Sequence, residues 1–295
     1  MLESSHRQSS IDPQPLNGGR AGHPASFATN GHSDITVIIA HYDCQELLTR
    51  ALQSVVEQSH RSWTCLVVDD DSPSREGLER VRSAFADERI RWLRASANVG
   101  QFRIYNRLLP VIASPYVALQ DADDWSVPQR FERLLDEIDS RRCDVVGSAV
   151  TRTSLEGEIL PVARPPLDVN KALSWRFRRA VFRGATMLCR TDFMRAVDGY
   201  DGTTRFAGDS DFIYRAIFQG SVRNHPEPLY FYTEREGSLT RSPLTGFGSP
   251  ERVRYASAIR RRFYRHLLLS QVAQLRPAML KAKPNDMDFD LLSLD

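Results

Sequence analysis

The sequence predicts an α/β fold built on a mostly parallel sheet, and three observations predict it. Short β-branched apolar runs alternate with amphipathic stretches from Asp34 onwards, the pattern of strands joined by crossover helices. The first βα unit is well marked, with a β-branched strand at Thr36 to Ala40 and apolar residues at helical spacing after it. Two of the apolar runs end abruptly in clusters of aspartates, which places charged groups at the carboxyl ends of strands, where open α/β sheets bind ligands.

The elements follow in order. TVIIA (Thr36 to Ala40) is the first strand, and Cys44 to Gln58 places Leu47, Leu48, Leu52, Val55 and Val56 at helical spacing. Thr64 to Val68 is the second strand and drops into Asp69, Asp70 and Asp71; a helix follows from about Ser74 to Ala86. Arg89 to Ala95 is the third strand, the loop SANVGQ leads to a helix from Phe102 to Ile112, and Tyr116 to Gln120 delivers the chain to DADDW at Asp121 to Trp125. A helix from Pro128 to Ser140, the strand CDVVGSAV and a hairpin with a turn in LEGEILPVARPP come next. The second half reads as a helix near Val169 to Phe177, a strand GATMLCR, a helix Thr191 to Val197, the loop DGYDGTTRFAGDSD, a helix Asp211 to Gln219 and a strand PLYFYTE. A Gly/Ser/Pro loop (Gly237 to Pro250), an Arg-rich helix from about Glu251 to Leu275 and a polar tail close the chain.

Residues 1–33, rich in Ser, Gly, Pro, Asn and His, are expected to form a disordered leader, because they offer too little apolar surface to offset the entropy of ordering. Residues 34–250 are expected to hold the catalytic body, divided into 34–127 and 128–250, and 251–295 a basic helix and tail. The 39 basic and 37 acidic residues leave a net charge of only +2, which disfavours a nucleic-acid partner. The four cysteines lack metal or redox spacing, and no segment resembles a signal peptide or a membrane span. A cytoplasmic protein is the expectation.

Like charges as dense as Asp121, Asp123 and Asp124 raise one another's pKa unless a cation neutralises them. Mg2+ or Mn2+ suits a few carboxylates plus phosphate oxygens, so the cluster reads either as a metal site clamping a diphosphate or as a solvated turn before the next helix. Asp69 to Asp71 read likewise as a nucleoside contact at the second strand end or as a helix cap. The first strand is followed by AHYDCQE, so the glycine-rich turn of a dehydrogenase, G-x-G-x-x-G, is missing, as is the basic glycine-rich loop of a nucleotidyltransferase.

The order TVIIAHYD, SVVEQSH, LVVDDDS, NVGQFRIYN and LQDADDW resembles the inverting glycosyltransferases of family 2, with the GT-A fold: a nucleotide-binding mostly parallel sheet fused to an acceptor-binding half. RGATMLCRTDFMRAVDGYD, RFAGDSDFIYRAIFQG and YFYTEREGSLT extend the resemblance from about Ile35 to Thr240, and the spore-coat polysaccharide type is among the closer likenesses. The resemblance implies a sugar transferred with inversion from a nucleotide-diphosphate donor, a UDP-sugar foremost, with Mn2+ or Mg2+. It implies that Asp70 holds the nucleobase and the backbone near Ala40 and Tyr42 lines its pocket. It further implies that Asp121 or Asp123 contacts the ribose, that Asp123 or Asp124 binds the metal and that Asp209 is the general base. Asn98, Gly100 and Gln101 match the family's loop over the nucleotide or form an ordinary turn. Arg103 and Asn106 approach the diphosphate or form a solvated helix face. Arg235 and Ser238 match a loop closing on the donor.

Asp43 stands where the family usually has Asn, and Gly208 where it often has Glu. Asp211 competes with Asp209 in sequence but would point away on a helix. His41 and His225 lack a catalytic partner at recognisable spacing and read as structural. The acceptor, whether saccharide, lipid-linked, peptide or small molecule, is not specified. The helix with Arg252, Arg254, Arg260, Arg261, Arg262 and Arg265 fits either peripheral contact with an anionic membrane or an ordinary packed helix. The alternative to catalysis is a degenerate GT-A fold that binds nucleotide or a partner.

Overall fold

The structure, a computed structural model, describes residues 33–273 and 289–295. The leader expected over 1–33 lies outside the described residues except for Ser33, as do the last residues of the Arg-rich helix expected to reach Leu275 and most of the tail.

A parallel core forms first along the chain. Strands β1 (Ile35–His41), β2 (Trp63–Asp69), β3 (Ile90–Ala95) and β4 (Tyr116–Leu119) lie in the order β3-β2-β1-β4, all parallel. Both faces are covered, which explains why these strands read as continuous apolar runs. Ile35, Val37 and Ile39 of β1 pack on one face with Cys65 and Val67 of β2, while Ile38, Leu66 and Val68 pack on the other.

Helices α1 (Gln45–Val56), α2 (Arg75–Ala84) and α4 (Arg130–Ser140) cover the first face through residues such as Leu52, Leu78 and Phe131. Helices α3 (Gln101–Leu108), α7 (Gly208–Ala216) and α8 (Pro250–Ala273) supply Ile104, Phe212 and Phe263 to the second. Because β1 is flanked by β2 on one side and β4 on the other, the chain order reverses between β1 and β4. The crevice at their carboxyl ends is therefore a topological switch point.

The sheet continues beyond β4 in mixed sense. β8 (Leu188–Arg190) runs antiparallel to β4 and to β6 (Val145–Ser154). β6 pairs in parallel with β9 (Val222–Glu234) over ten positions and forms the expected hairpin with β7 (Ile159–Ala163). The two-residue β5 (Trp125–Ser126) adds to β9, so DADDW is fastened to both the parallel and the mixed halves. α5 (Val169–Leu173), capped by Asp168, and α6 (Thr191–Ala196) complete the second half.

Several boundaries differ from expectation for local reasons. The helix expected to reach Ile112 ends at Leu108 and becomes a 3-10 turn, Leu109–Val111, because Pro110 lacks an amide proton. GATMLCR is a 3-10 turn, Gly184–Thr186, followed by β8. The helix expected from Val169 to Phe177 stops at Leu173, and α7 begins three residues before Asp211. At the end of the tail, Leu291–Ser293 form β10 against the edge strand β3, burying Phe289 and Leu291.

Candidate active site

A cavity of about 930 Å³ opens at the carboxyl ends of β1, β2 and β4, large enough for a ligand of several linked groups. Ala40, Tyr42, Asp70, Asn98, Gly100, Asp121, Asp123, Asp209, Arg235 and Ser238 all line it. Of the residues given a donor or metal contact above, three do not line it: Arg103, whose guanidinium lies over the Phe289 ring at 5.5 Å; Asn106, buried and hydrogen-bonded to the Tyr200 amide and carbonyl, each at 2.8 Å; and Asp124, which is fully buried. The expectation that Arg103 faces a ligand is corrected by its position on α3, which directs it to the carboxyl-terminal segment.

Of the three acids after β2, only Asp70 reaches the cavity. Asp69 is buried, accepts the Ser72 amide and hydroxyl, and is ion-paired with Arg94, which also holds Asp71 at 2.6 Å. Both carboxylate oxygens of Asp70 accept backbone amides, from Val99 at 2.7 Å and Gly100 at 2.8 Å, and Asn98 Nδ2 donates to the Asp70 carbonyl at 3.0 Å. Burial pushes the Asp70 carboxyl up and these two amides pull it back. Asp70 therefore shapes the NVG loop, and a carboxylate retains lone pairs beyond the two in use. Gly100, at φ 89°, makes the turn and packs against the Arg205 side chain, which donates to Asn98. Tyr42 projects from the end of β1 and is half exposed at the cavity, as a stacking surface would be.

At the end of β4 the carboxylates of Asp121, Asp123 and Asp124 bring oxygens within 4.8 Å of one another. Burial, then the charges of Asp123 and Asp209, push Asp121 up to about 7. Burial, reinforced by Asp123 and Asp121, drives Asp124 well up, although the Thr233 amide and the Tyr230 hydroxyl partly offset it. Asp124 Oδ1 accepts the Thr233 amide at 2.7 Å, while Oδ2 is buried without a hydrogen bond of normal geometry. Asp123 Oδ2 accepts Arg235 Nε at 2.8 Å. Two acids driven towards protonation and one buried orphan oxygen fit a hard divalent cation, which takes carboxylate oxygens and relieves the repulsion.

The turn that holds these acids stands on groups that sequence patterns do not reveal. Arg130, fully buried on α4, donates to Leu119 O (2.7 Å), Ala185 O (3.0 Å), Gln120 Oε1 (3.0 Å) and Ser126 Oγ (3.0 Å). Burial lowers its pKa to about 10, so it stays cationic near neutrality beneath the acids. The Tyr230 hydroxyl accepts the Asp121 amide at 3.0 Å, and Trp125 stacks on Phe231 with ring centroids 4.8 Å apart. Tyr230 sits in the apolar run of β9 and Arg130 reads as an exposed helical residue, so only the fold discloses them.

Across the cavity, Asp209 is the second residue of α7 and accepts the amide of Ser210 at 2.8 Å. The helix cap is Ala207, with φ 57°, so Asp209 is not the cap residue. An acid in the first turn gains from the helix dipole. Gly184 permits the close approach: a Cβ there would lie 2.7 Å from the Asp209 Cβ. Asp211, by contrast, is buried and pairs with Arg215 at 2.8 Å and with Arg262, so it faces away from the cavity, as expected. His41 is buried 3.6 Å from Asp69, and burial holds it below the ordinary imidazole value. His225 Nδ1 accepts the Glu227 amide at 3.2 Å, a turn contact. Arg183 and Arg179 also line the cavity and had no sequence signal. Asp43, in place of the expected Asn, adopts φ 49°, a conformation open to either residue.

Comparison with known proteins agrees with this geometry. The model of glycosyl transferase family 2 matches residues 36–198. The glycosyltransferase EpsJ of Bacillus subtilis is 25% identical over 232 residues, 71% of this chain and 63% of EpsJ. S. aureus TarS, solved with UDP-GlcNAc, superposes with a TM-score of 0.57 at 19% identity over 70% of this chain and 60% of TarS. The mannosyltransferase PcManGT from Pyrobaculum calidifontis, solved with GDP-Man and Mn2+, gives 0.54 at 15% identity over 71% and 59%. The matched region spans less than two thirds of each of these relatives. The two superpositions show the GT-A fold.

Proposed function

The chain belongs to glycosyl transferase family 2, and from that premise we propose that it moves a sugar from a nucleoside diphosphate donor to an acceptor hydroxyl with inversion. One observation carries the reading: Asp121 and Asp123 after β4 and Asp209 at the start of α7 line a single cavity. A single displacement needs a base on the side opposite the leaving group and no protein nucleophile. Asp209 deprotonates the acceptor hydroxyl as it attacks the anomeric carbon. The Asp70-ordered loop, with Asn98 and Gly100, and the ring of Tyr42 enclose the nucleoside, and Asp121 meets the ribose.

Asp123 and Asp124, with Asp121 beside them, would hold Mn2+ or Mg2+, which when bound neutralises the diphosphate as a leaving group. Arg235 and Ser238 lie on the loop after β9 and would fold over that diphosphate, a guanidinium matching phosphate oxygens. TarS was solved with UDP-GlcNAc and PcManGT with GDP-Man; the donor proposed is a uridine nucleotide, with Asp70, which lines the cavity, as its nucleobase contact. Among the described residues no helix is long and apolar enough to cross a membrane, and a cytoplasmic site of action is part of the proposal.

The test is a thermal-shift panel of UDP, GDP and dTDP with and without Mn2+, followed by donor hydrolysis. Stabilisation by UDP together with Mn2+, exceeding either alone, is the expected result, since ligands that bind only the folded state raise the melting temperature. Absence of a shift with any nucleotide would overturn the reading.

A further inference from the structure

We infer that the half of the cavity around Asp209 is an anion-binding subsite, so that the acceptor carries a phosphate or carboxylate beside the hydroxyl that receives the sugar. This deepens the proposed function and rests on it. Charge is divided unevenly across the cavity. Asp43, Asp70, Asp121 and Asp123 line the end formed by β1, β2 and β4, whereas Asp209 is the acid that α7 contributes opposite them.

Five arginines line the same space, and three are already engaged. Arg235 pairs with Asp123 at 2.8 Å, and Arg205 donates to Asn98 Oδ1 and O. Arg252 donates to Thr245 O and, at 2.9 Å, to Leu239 O, which pins the loop before α8. Among the described residues, Arg179 and Arg183 make no ion pair and no side-chain hydrogen bond.

Both stand close to the base. Arg183 precedes Gly184, the residue against which Asp209 packs, and its guanidinium lies over the Tyr232 ring at 5.3 Å. Arg179 is near enough to Tyr214 for that phenol to feel the charges of both Asp209 and Arg179. Arg179 is exposed at the rim and Arg183 half-buried; with no ion pair holding either, both are free to meet the oxygens of an anionic ligand beside Asp209. Their planar forks match carboxylate and phosphate oxygens bidentately. Arg235, held by Asp123 at 2.8 Å, is the cation proposed for the donor diphosphate, and Arg179 and Arg183 are the two assigned to the acceptor. Phe177 and Phe247 complete the wall with ring surface suited to a sugar face.

The two sources of such an anion, a sugar phosphate and an acidic sugar, are separated by calorimetric titration of the full chain loaded with UDP and Mn2+. Glucose 1-phosphate, glucuronate and glucose are the probes. At least one anionic sugar should bind tenfold or more tightly than glucose, and which one does so identifies the source. The double variant Arg179→Gln, Arg183→Gln should bring the anionic sugar down to the affinity of glucose while leaving UDP affinity within twofold. Anionic sugars that bind no better than glucose, or a loss that falls on UDP instead, would overturn the inference. Failure of UDP to bind the wild type is seen before any sugar is added and sinks the proposed function separately; sugar titration of the unloaded chain then still decides whether the anion subsite exists.

Discussion

Arg235 Nε donates to Asp123 Oδ2 over 2.8 Å, closing the loop after β9 onto the acidic turn after β4. The pair joins two segments that the proposed donor would hold apart: a guanidinium fills a carboxylate position that a metal ion would claim, and the diphosphate would claim the guanidinium. Arg235→Ala is therefore expected to act in opposite directions on two ligands. Affinity for Mn2+ alone rises, because a competing cation is gone, and affinity for UDP in saturating Mn2+ falls about tenfold or more, the scale of a charge-assisted hydrogen bond. Calorimetry with and without UDP measures both. Unchanged values for both would make Arg235 a purely structural tie.

Asp209→Asn keeps shape and the Ser210 contact while removing the base. Turnover is expected to fall roughly a hundred- to ten-thousandfold, the range typical for general base catalysis, with donor affinity nearly intact. A variant that turns over at the wild-type rate would remove Asp209 from the mechanism. Asp211→Asn serves as the contrast: its carboxylate is tied to Arg215 and Arg262, so it should lower the melting temperature without a selective effect on turnover.

Gly184→Ala tests positioning rather than chemistry. The added methyl would lie 2.7 Å from the Asp209 Cβ, inside normal contact distance, and Asp209 at the start of α7 must yield. The expected result is a lowered kcat with an unchanged donor KM, because the donor end of the cavity is untouched. Equal loss in kcat and in UDP affinity would mean that the strain spreads through the fold instead.

Much of this site was legible before the fold was known, and the physical reason is local. β2 and β4 lie in the covered parallel core, so their sequences are apolar runs, and the acids that follow them stand out against that background. Asp209 could be singled out only by resemblance, since its partnership with Gly184 spans 25 residues of sequence and depends on a positive φ at Ala207 that starts α7 early. Arg130 was illegible because an arginine on an amphipathic helix normally faces water; here four acceptors, from the end of β4, β5 and the 184–186 turn, compensate its burial. Arg103 misled for the complementary reason. It sits one turn from the cavity-lining Gly100, but its helix points it at Phe289, whose segment reads as polar tail.

The acidic turn also predicts how stability responds to pH. Burial and the neighbouring charges push Asp121 up to about 7, whereas an exposed aspartate releases its proton near pH 4, about 3.9. Below that lower value both folded and unfolded chains hold the proton, and Asp121 contributes nothing. Between about pH 4 and about pH 7 the folded protein retains a proton that the unfolded chain has lost, so this group destabilises the fold progressively as pH rises and the loss levels off above the folded value. A divalent cation prefers the ionised carboxylate and displaces the proton, so its stabilising effect should grow across the same window. Metal-free wild type should therefore lose melting temperature between pH 4.5 and 7.5 relative to Asp121→Asn, and added Mn2+ with UDP should restore it in the wild type. Asp124 is driven up by the same causes, so the variant removes only part of the slope. Parallel melting curves for wild type and Asp121→Asn across that range would refute a proton shared between folding and the acidic turn, and with it the electrostatic reason for placing a cation there.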